Sequence, residues 1–595
     1  MKRKIIFLSV LLFFGVCLVS AQQNLSVSGV VTDASDGSPL VGVSVMLKGT
    51  TSGTITDVNG KYTLNATQGS TVIFTYIGME KQEIVIKTNV INVNLHSDSQ
   101  MLDEVVAIGY GTMKKKVVTG ATVQVKGDDL QKLNTLSSMA ALQGTTSGVQ
   151  ITKSDGQPGD GLKVVIRGIG TIGNTQPLYV VDGVPVGNNI DYLSPSDIES
   201  IDVLKDATAA IYGSRAANGV VLVTTKQGSS TGKTVVSYDG TYGVQNIYKT
   251  EPSLNAQEYL MIANEARVNS GLSPFTNAYI TGTTPNATNP NVPVGTLVPN
   301  VPYGAAILAG TNKGTNWLAA FTNKNAPTQS HSLNISGGNT TSTYTLGVSY
   351  ITQDGILGGP APSNYDRYNV RFNSDHKVIT NKDFTVLKVG ENLDLSYHEN
   401  QGVAASGSVY WNDINNMIVS IPLQPLYDPN SPGKYSYSIP FDNLQANPIA
   451  ALMASSRANN ISKNANLVGN VYAELQPIKN LIFTTRFSLT GYESSYRSFT
   501  PQSNLSSTAI NANDGASENM SMGMSWIWDN TVAYKFSTDQ HNFSFLGGTS
   551  AERDNMGDQM SGANALGQYQ DFAHAYLINY PNVSSTLTTL GGHRC

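Results

Sequence analysis

From about residue 230 onward, apolar and polar residues alternate with a period of two. Val236, Tyr238, Tyr242 and Val244 fall on one side and Ser237, Asp239 and Thr241 on the other. Tyr344, Leu346, Val348 and Tyr350 oppose Thr345, Gly347 and Ser349, and Tyr368, Val370 and Phe372 oppose Asn369, Arg371 and Asn373. Leu467, Val471, Ala473 and Leu475 oppose Asn470, Tyr472 and Glu474, and Phe487 and Leu489 oppose Arg486, Ser488 and Thr490. Met522, Met524, Trp526 and Trp528 oppose Gly523, Ser525 and Ile527, the last an exception. A period of two is the signature of a strand with two unlike faces. Such strands build either a barrel with lipid outside and water inside or a soluble antiparallel sheet with its apolar face in a core. The connections favour the barrel. Long excursions (247–327, 353–366, 399–463, 493–519) alternate with short ones (337–339, 375–384, 477–480, 537–540), as expected of short turns on one side of a membrane and long loops on the other. The pattern predicts about nine strands between residues 233 and about 550.

Two units precede this region. Over residues 25–97, short β-rich runs (27–32, 41–48, 61–64, 71–76, 83–87, 90–95) alternate with turn signals at Asp36-Gly37, Asp57–Gly60 and Gly69-Ser70, which predicts a small β-sandwich. Asp57, Asn59 and Gly60 imitate the start of a calcium loop, but the later glutamate is missing, and a plain turn is the better reading. Residues 102–226 are of mixed type. Strands are expected at 117–125, 163–167, 178–181 and 219–225. One helix is expected to start at Ser194-Pro195, and another to run over 207–212 between Asp206 as cap and Gly213 as stop.

Composition narrows the class. Of 595 residues, 40% are hydrophobic and only 13% charged, with 28 Tyr and 56 Gly and a net charge of −5. This excludes a coiled coil, an acidic tail protein and a nucleic-acid binder, since no basic stripe is left for phosphates. Lys2-Arg3-Lys4, the apolar run 5–19 and Val19-Ser20-Ala21 form a signal-peptide pattern over residues 1–21, so export is expected. No later run is apolar for the roughly 18 residues that a membrane helix needs, so any crossing is by strands. Cys17 and Cys595 are the two cysteines, and they offer neither an internal disulfide in the exported chain nor a zinc site. Gly168–Gly173 matches a dinucleotide fingerprint after a strand, but Asn174–Pro177 follows where the fingerprint needs a helix. The seven histidines show no ligand spacing, and no catalytic motif is present. No enzyme activity, cofactor or metal is expected.

Leu102–Gly111 is a short apolar strand with acids before it and glycines after it, suited to capture by strand addition to a partner's sheet. The N-terminal run VSGVVTDASDGSPLVGVSVMLKGTTSGTITDVNGKYTL resembles the carboxypeptidase regulatory-like domain. LDEVVAIGYGTMKKKVVTGA, IRGIG, PLYVVDGVPV and SPSDIESIDVLKDATAAIYGSRAANGVVLVTTKQG follow in that order. Together they resemble the SusC-like (RagA-like) TonB-dependent outer-membrane transporters of Bacteroidota, densely over 26–246 and more loosely after.

The resemblance implies a mainly β fold: a regulatory-like β-sandwich (25–97), a TonB-box segment (102–111), an α/β plug (112–228) and part of an antiparallel transmembrane β-barrel (230–595). It makes Asp103, Glu104, Val105, Val106, Ala107, Ile108 and Gly109 the TonB box. It puts Arg167, Gly168, Asp182, Gly183, Asp206, Gly213, Arg215 and Gly219 in plug signature segments, where a role in the plug fold or in plug–barrel salt bridges outweighs ligand contact. It further implies import of a glycan or other large nutrient, such as a peptide, across the outer membrane. The partners would be TonB, energised by ExbB and ExbD at the inner membrane, a SusD-like surface lipoprotein and the lipid bilayer, with no nucleic acid. Tyr410, Trp411 and Tyr427 in loop 399–463 offer aromatic faces for sugar rings, with loop packing or lipoprotein contact as the plainer reading. A plugged transporter barrel has roughly 22 strands, which at roughly 40 residues each would need roughly 880 residues, so the chain is expected to be an N-terminal portion with an incomplete barrel. The alternatives are a surface binding or adhesion protein without transport, and a non-functional truncated fragment.

Overall fold

The computed structural model describes residues 24–594, apart from 96–104, 109–110, 115–121, most of 273–309, 404–411, 440–443 and scattered single or paired positions. The expected signal peptide, both cysteines, Asp103, Glu104, Gly109, Tyr410 and Trp411 lie outside the described residues. The chain divides into two compact units, Met1–Val106 with Thr112–Thr119, and Ala107–Gly111 with Gly120–Cys595.

Among the described residues of 24–95 there are seven strands: β1 (Asn24–Asp33), β2 (Ser44–Leu47), β3 (Gly53–Ile55), β4 (Lys61–Thr67), β5 (Thr71–Thr75), β6 (Gln82–Val85) and β7 (Val93–Leu95). They form two sheets, ordered β4-β1-β7 and β3-β2-β5-β6. Alternate residues from both meet in one core that includes Val27, Val31, Val45, Leu64, Phe74 and Leu95. Tyr62 meets Phe74 edge-on at 5.4 Å and donates its hydroxyl to the Ile91 carbonyl at 2.9 Å. The calcium-like segment is a turn: the Asp57 carboxylate accepts from the backbone amides of Asn59 and Lys61, both at 2.8 Å. β3 escapes sequence patterning because it is three residues long and mostly exposed.

The plug comprises β10 (Thr122–Lys126), β11 (Val149–Lys153), β12 (Leu162–Ile166), β13 (Leu178–Val181), β14 (Val184–Val186), β15 (Ile198–Leu204) and β16 (Val220–Thr225), preceded by β8 (Val105–Ile108) and β9 (Gly111–Lys114). Five of them form a sheet ordered β10-β15-β16-β13-β14. Both helix expectations need correction. Ser194-Pro195 opens only a single 3-10 turn, Pro195–Asp197, and the chain then enters β15, paired on both sides by β10 and β16. Ile198, Ile201 and Val203 are fully buried there; this β-branched pattern suits a central strand, and tertiary pairing overrides the cap signal. The second helix is a 3-10 segment, Asp206–Ala216, without a side-chain cap bond, and Gly213 interrupts it at φ 68°, ψ −154°.

The barrel wall follows as β17 (Val235–Gln245), β18 (Ala326–Gly338), β19 (Ser342–Asp354), β20 (Asn364–Thr380), β21 (Thr385–Gln401), β22 (Asn460–Ile478), β23 (Leu481–Thr500), β24 (Gly515–Ser537), β25 (Asn542–Ala565) and β26 (Ser584–Arg594). These pair in chain order in one ten-stranded antiparallel sheet. Nine begin before residue 550, as the alternation predicts, and the tenth lies beyond the predicted range. Connections alternate short (339–341, 381–384, 479–480, 538–541) with long (246–325, 355–363, 402–459, 501–514, 566–583).

The two faces of this sheet are inverted relative to a soluble sheet. Tyr238, Val370, Leu395, Val471, Phe487 and Trp528 are exposed, whereas Ser332, Asn369, Arg371, Asn373, Asp394 and Asn470 are buried. The polar face is turned in upon the plug and the apolar face outward, which decides for the barrel. The long connections have cores of their own. Leu260 of the capped helix Ala256–Asn269 packs with Ile307, Ile421, Leu423 and Ile439. Trp317 packs with Phe321, Met417 and Ile449 and donates its indole N–H to the Ile421 carbonyl at 2.8 Å.

Because the first unit owns a closed core, residues 24–95 expressed alone should fold as a soluble sandwich. Phe74→Ala should destabilise that domain by about 3–5 kcal/mol. Urea denaturation followed by circular dichroism checks both statements, and a non-cooperative parent curve would refute the first.

Candidate functional site

The plug meets the barrel wall through polar groups. Arg371 projects inward from β20 with its side chain 1% exposed. Its guanidinium donates to the Lys226 carbonyl at 2.8 Å, to Asp197 Oδ1 at 3.3 Å, to Asn334 Oδ1 at 3.3 Å and to Thr225 Oγ1 at 3.4 Å. Two residues along the same face, Asn373 donates to Thr225 Oγ1 at 2.7 Å and to the Lys226 carbonyl at 3.2 Å. The Thr225 hydroxyl in turn donates to Asp182 Oδ2 at 2.7 Å, and the Thr225 amide to Asp182 Oδ1 at 2.9 Å. One O–H donated and two lone pairs accepting fill the capacity of that hydroxyl.

Asp182 and Gly183 form the two-residue turn between β13 and β14, both at positive φ (48° and 81°). That is the geometry of a tight hairpin turn, for which Asp-Gly is a preferred sequence. Gly183 has a second reason to lack a side chain: a Cβ there would come within 2.0 Å of an Arg486 guanidinium nitrogen from β23. Arg167 and Gly168 are likewise at positive φ, 58° and 93°. Arg215 reaches Glu552 on β25 at 2.5 Å, in a partly exposed pair of a kind worth about 0–1 kcal/mol. Asp206 begins the 3-10 segment and Gly219 precedes β16 at φ 89°. The structure thus brings Asp182, Gly183 and Arg215 to the plug–barrel seam and leaves Arg167 and Gly168 on an exposed plug loop. Val105–Ile108 forms β8, which pairs with β9 in a two-stranded sheet. Tyr427 is half-exposed and stacks on Tyr435 at 5.5 Å.

Sequence reasoning set Arg371, Asn373 and Asn369 on a polar face without giving them a role. Asn369 donates to the Tyr192 carbonyl at 3.2 Å and to Asp394 at 2.9 Å. An arginine amid a strand's polar face is the signal that was available, since a lumen-facing guanidinium needs several acceptors.

Among the described residues, two sizeable cavities lie between plug and wall, toward the end of the barrel that carries the long connections. The larger, of about 880 Å³, is lined by Val184–Gly187, Tyr192 and Arg215 of the plug and by His398, Tyr492 and Trp526 of the wall. The smaller, of about 350 Å³, is lined by Lys153, Asp160, Arg367 and Gln353. Gly159, Asp191 and Tyr365 border both. A Cβ on Gly159 would lie 2.1 Å from the Tyr365 ring, so plug loop and wall touch where the cavities adjoin. The donors around them are mixed in charge and rich in hydroxyl and amide groups, suited to a polar, uncharged or zwitterionic ligand. Among the described residues no group of three or more His, Cys, Asp or Glu side chains is placed to hold a metal ion.

Residues 114–220 match the TonB-dependent receptor plug domain and residues 27–107 the CarboxypepD_reg-like domain. TonB-dependent receptor P26 of Formosa agariphila is 31% identical over 539 residues, 89% of this chain and 49% of that protein. TonB-dependent receptor SusC of Bacteroides thetaiotaomicron is 40% identical over 253 residues, 41% of this chain and 25% of that protein. The fold is also that of the RagAB peptide importer in its "open-open" state, with a TM-score of 0.65 at 24% identity, covering 82% of this chain and 53% of that one. Over the residues it spans, the chain is a SusC-like TonB-dependent receptor. It spans about half the length of the curated relatives that it matches most extensively.

Arg371→Ala should destabilise the plug–barrel seam by about 3–5 kcal/mol, because it leaves Asp197 buried without its cation. Arg371→Met combined with Asp197→Leu should recover most of that loss, as a denaturant series on the four members of the cycle would show; no recovery would mean that the guanidinium acts through other partners.

Burial holds the Asp191 carboxyl above the usual carboxylate range, against the lowering effects of the Ser137 hydroxyl and nearby Arg367. A raised pKa means that this group favours the folded state at low pH and loses that contribution as pH climbs through its folded value. The melting temperature of Asp191→Asn relative to the parent should therefore rise from pH 4 upward, and a difference independent of pH would contradict this.

Proposed function

We propose that the protein acts in energy-coupled import of a glycan or other large nutrient, such as a peptide, across the outer membrane. The observation that carries this reading is the plug itself, held by a buried polar seam against the inner wall of a barrel whose apolar face points outward. A wall so built has no use for its outward face except in lipid, and a lumen so filled passes nothing until the plug rearranges. In this reading a SusD-like lipoprotein delivers the ligand from the side of the long connections, whose packed cores offer it a firm platform. The ligand rests in the cavities between plug and wall, and Tyr427, with Tyr410 and Trp411, is a candidate for stacking on sugar rings. TonB, energised by ExbB and ExbD, captures Asp103–Gly109 as an added strand and pulls, and the N-terminal part of the plug loosens. Kinship with SusC and likeness to the RagAB peptide importer support a large nutrient ligand and a lipoprotein partner. The step is binding and movement, and it asks for no catalytic side chain.

Strand capture runs through backbone hydrogen bonds, so Val106→Pro in the full-length gene should abolish ligand uptake while leaving barrel assembly and surface ligand binding unchanged. A protonophore should stop uptake by the parent to the same extent. Uptake by the proline variant at the parental rate would overturn the box assignment, and uptake indifferent to the protonophore would overturn energy coupling.

A further inference from the structure

The outer face of the barrel carries an aromatic row in strict register. His331, Tyr350, Tyr368 and Tyr397 are direct cross-strand partners on β18 to β21, with Tyr350 and Tyr368 at 4.9 Å and Tyr368 and Tyr397 at 6.5 Å. Such a girdle marks a membrane boundary. The same rung continues through Ala465, Glu493, Met522 and Asp558 on β22 to β25. There two of its four positions are carboxylates and none is aromatic, because tilted strands carry one rung progressively out of the membrane plane. On β24 the crossing segment is instead Trp526 to Phe536, matching the roughly 9–11 residues that a tilted strand needs. Residues 520–524 therefore project beyond the apolar band, on the side of the long connections.

That stretch is where methionines collect. Met520 pairs with Met560, Met522 with Asp558 and Met524 with Met556, three successive pairs on one face of β24 and β25. Met522 also faces Glu493 on β23. Met520, Met522, Met524 and Met560 are all exposed. Lipid packing does not account for thioethers flanked on two sides by carboxylates. Their chemistry does: a thioether is a soft, uncharged donor that selects soft ions such as Cu(I). Paired residues have Cβ atoms about 4.5–5.5 Å apart, and three rotatable bonds let each sulfur turn toward its neighbours.

We propose that Met520, Met522 and Met560, with Glu493 and Asp558 supplying countercharge, form a binding site for a soft monovalent cation, Cu(I) or Ag(I), on the external face of the barrel. The site is independent of the ligand cavities and goes beyond import. It involves no redox step, since the ion is held in the state in which it arrives.

Silver is the redox-inert probe. The protein purified in detergent, with Cys17 and Cys595 replaced by serine to remove thiols, is incubated with silver nitrate in chloride-free buffer, desalted and assayed for bound metal by mass spectrometry. About one silver ion per chain should be retained at neutral pH and equally at pH 5.5, because thioethers do not titrate and carboxylates in general stay charged there whereas histidine sites release their metal. The near-isosteric triple variant Met520→Leu, Met522→Leu, Met560→Leu should retain at least tenfold less, with an unchanged melting profile. No retention by the parent, retention lost at pH 5.5, or equal retention by the triple variant would each overturn the proposal, the last leaving the methionines as an apolar contact surface.

Discussion

The fold turns on one constraint, a guanidinium that sits inside a protein wall with almost no access to water. The two terminal nitrogens of Arg371 donate to a carboxylate, a backbone carbonyl, an amide and a hydroxyl, while its Nε is left without a partner. Three of those four acceptors belong to the plug, at Asp197, Thr225 and Lys226. A buried charge tolerates little misalignment, since each unpaired donor costs about 1–3 kcal/mol or more. The plug is therefore held at one orientation, near the point where it runs on into the first barrel strand. Asp182 extends the network by one step, because the hydroxyl that accepts from Arg371 and Asn373 also donates to that carboxylate.

The signature residues of the plug acquire a common physical sense from this arrangement. Asp182-Gly183 and Arg167-Gly168 each occupy consecutive positive-φ positions, where the backbone reverses sharply and few residue types fit without strain. Asp182 combines that backbone role with a carboxylate aimed at Thr225, and Gly183 clears space for a wall arginine. Arg215 reaches the wall at Glu552. Their geometry is that of fold and seam, although Arg215 also borders the larger cavity, whose groups Asp191, Tyr365, Tyr192 and His398 come from other segments.

Outside the seam, the same wall has two further surfaces of different character. Its apolar face is bounded by aromatic rows that shift from strand to strand with the tilt, and above that boundary the methionine and carboxylate pairs stand in a polar zone. At the end with long connections, segments far apart in sequence share cores: Leu260 with Ile421, and Trp317 with Ile449. Loops packed in this way present a shaped surface to whatever binds there.

Much of this was legible in the chain alone. The period of two marks six of the ten barrel strands among the described residues and sorts their faces, because side-chain alternation is a local property of extended backbone. The alternation of short and long connections carries the membrane reading for the same reason: it needs only strand positions. The plug and sandwich motifs are short, local and rich in turn residues, so they too are visible in one dimension. What the tertiary structure decided is everything that depends on a partner distant in sequence. Ile198–Leu204 became a central strand because β10 and β16 flank it, although Ser194-Pro195 announces a helix. Arg371 is one polar residue among many until Asp197 and Lys226 arrive opposite it. Met520 and Met560 lie 40 positions apart in the chain and become neighbours only through the register of β24 on β25. Periodicity tells which way a side chain points, but only the fold tells what it meets there.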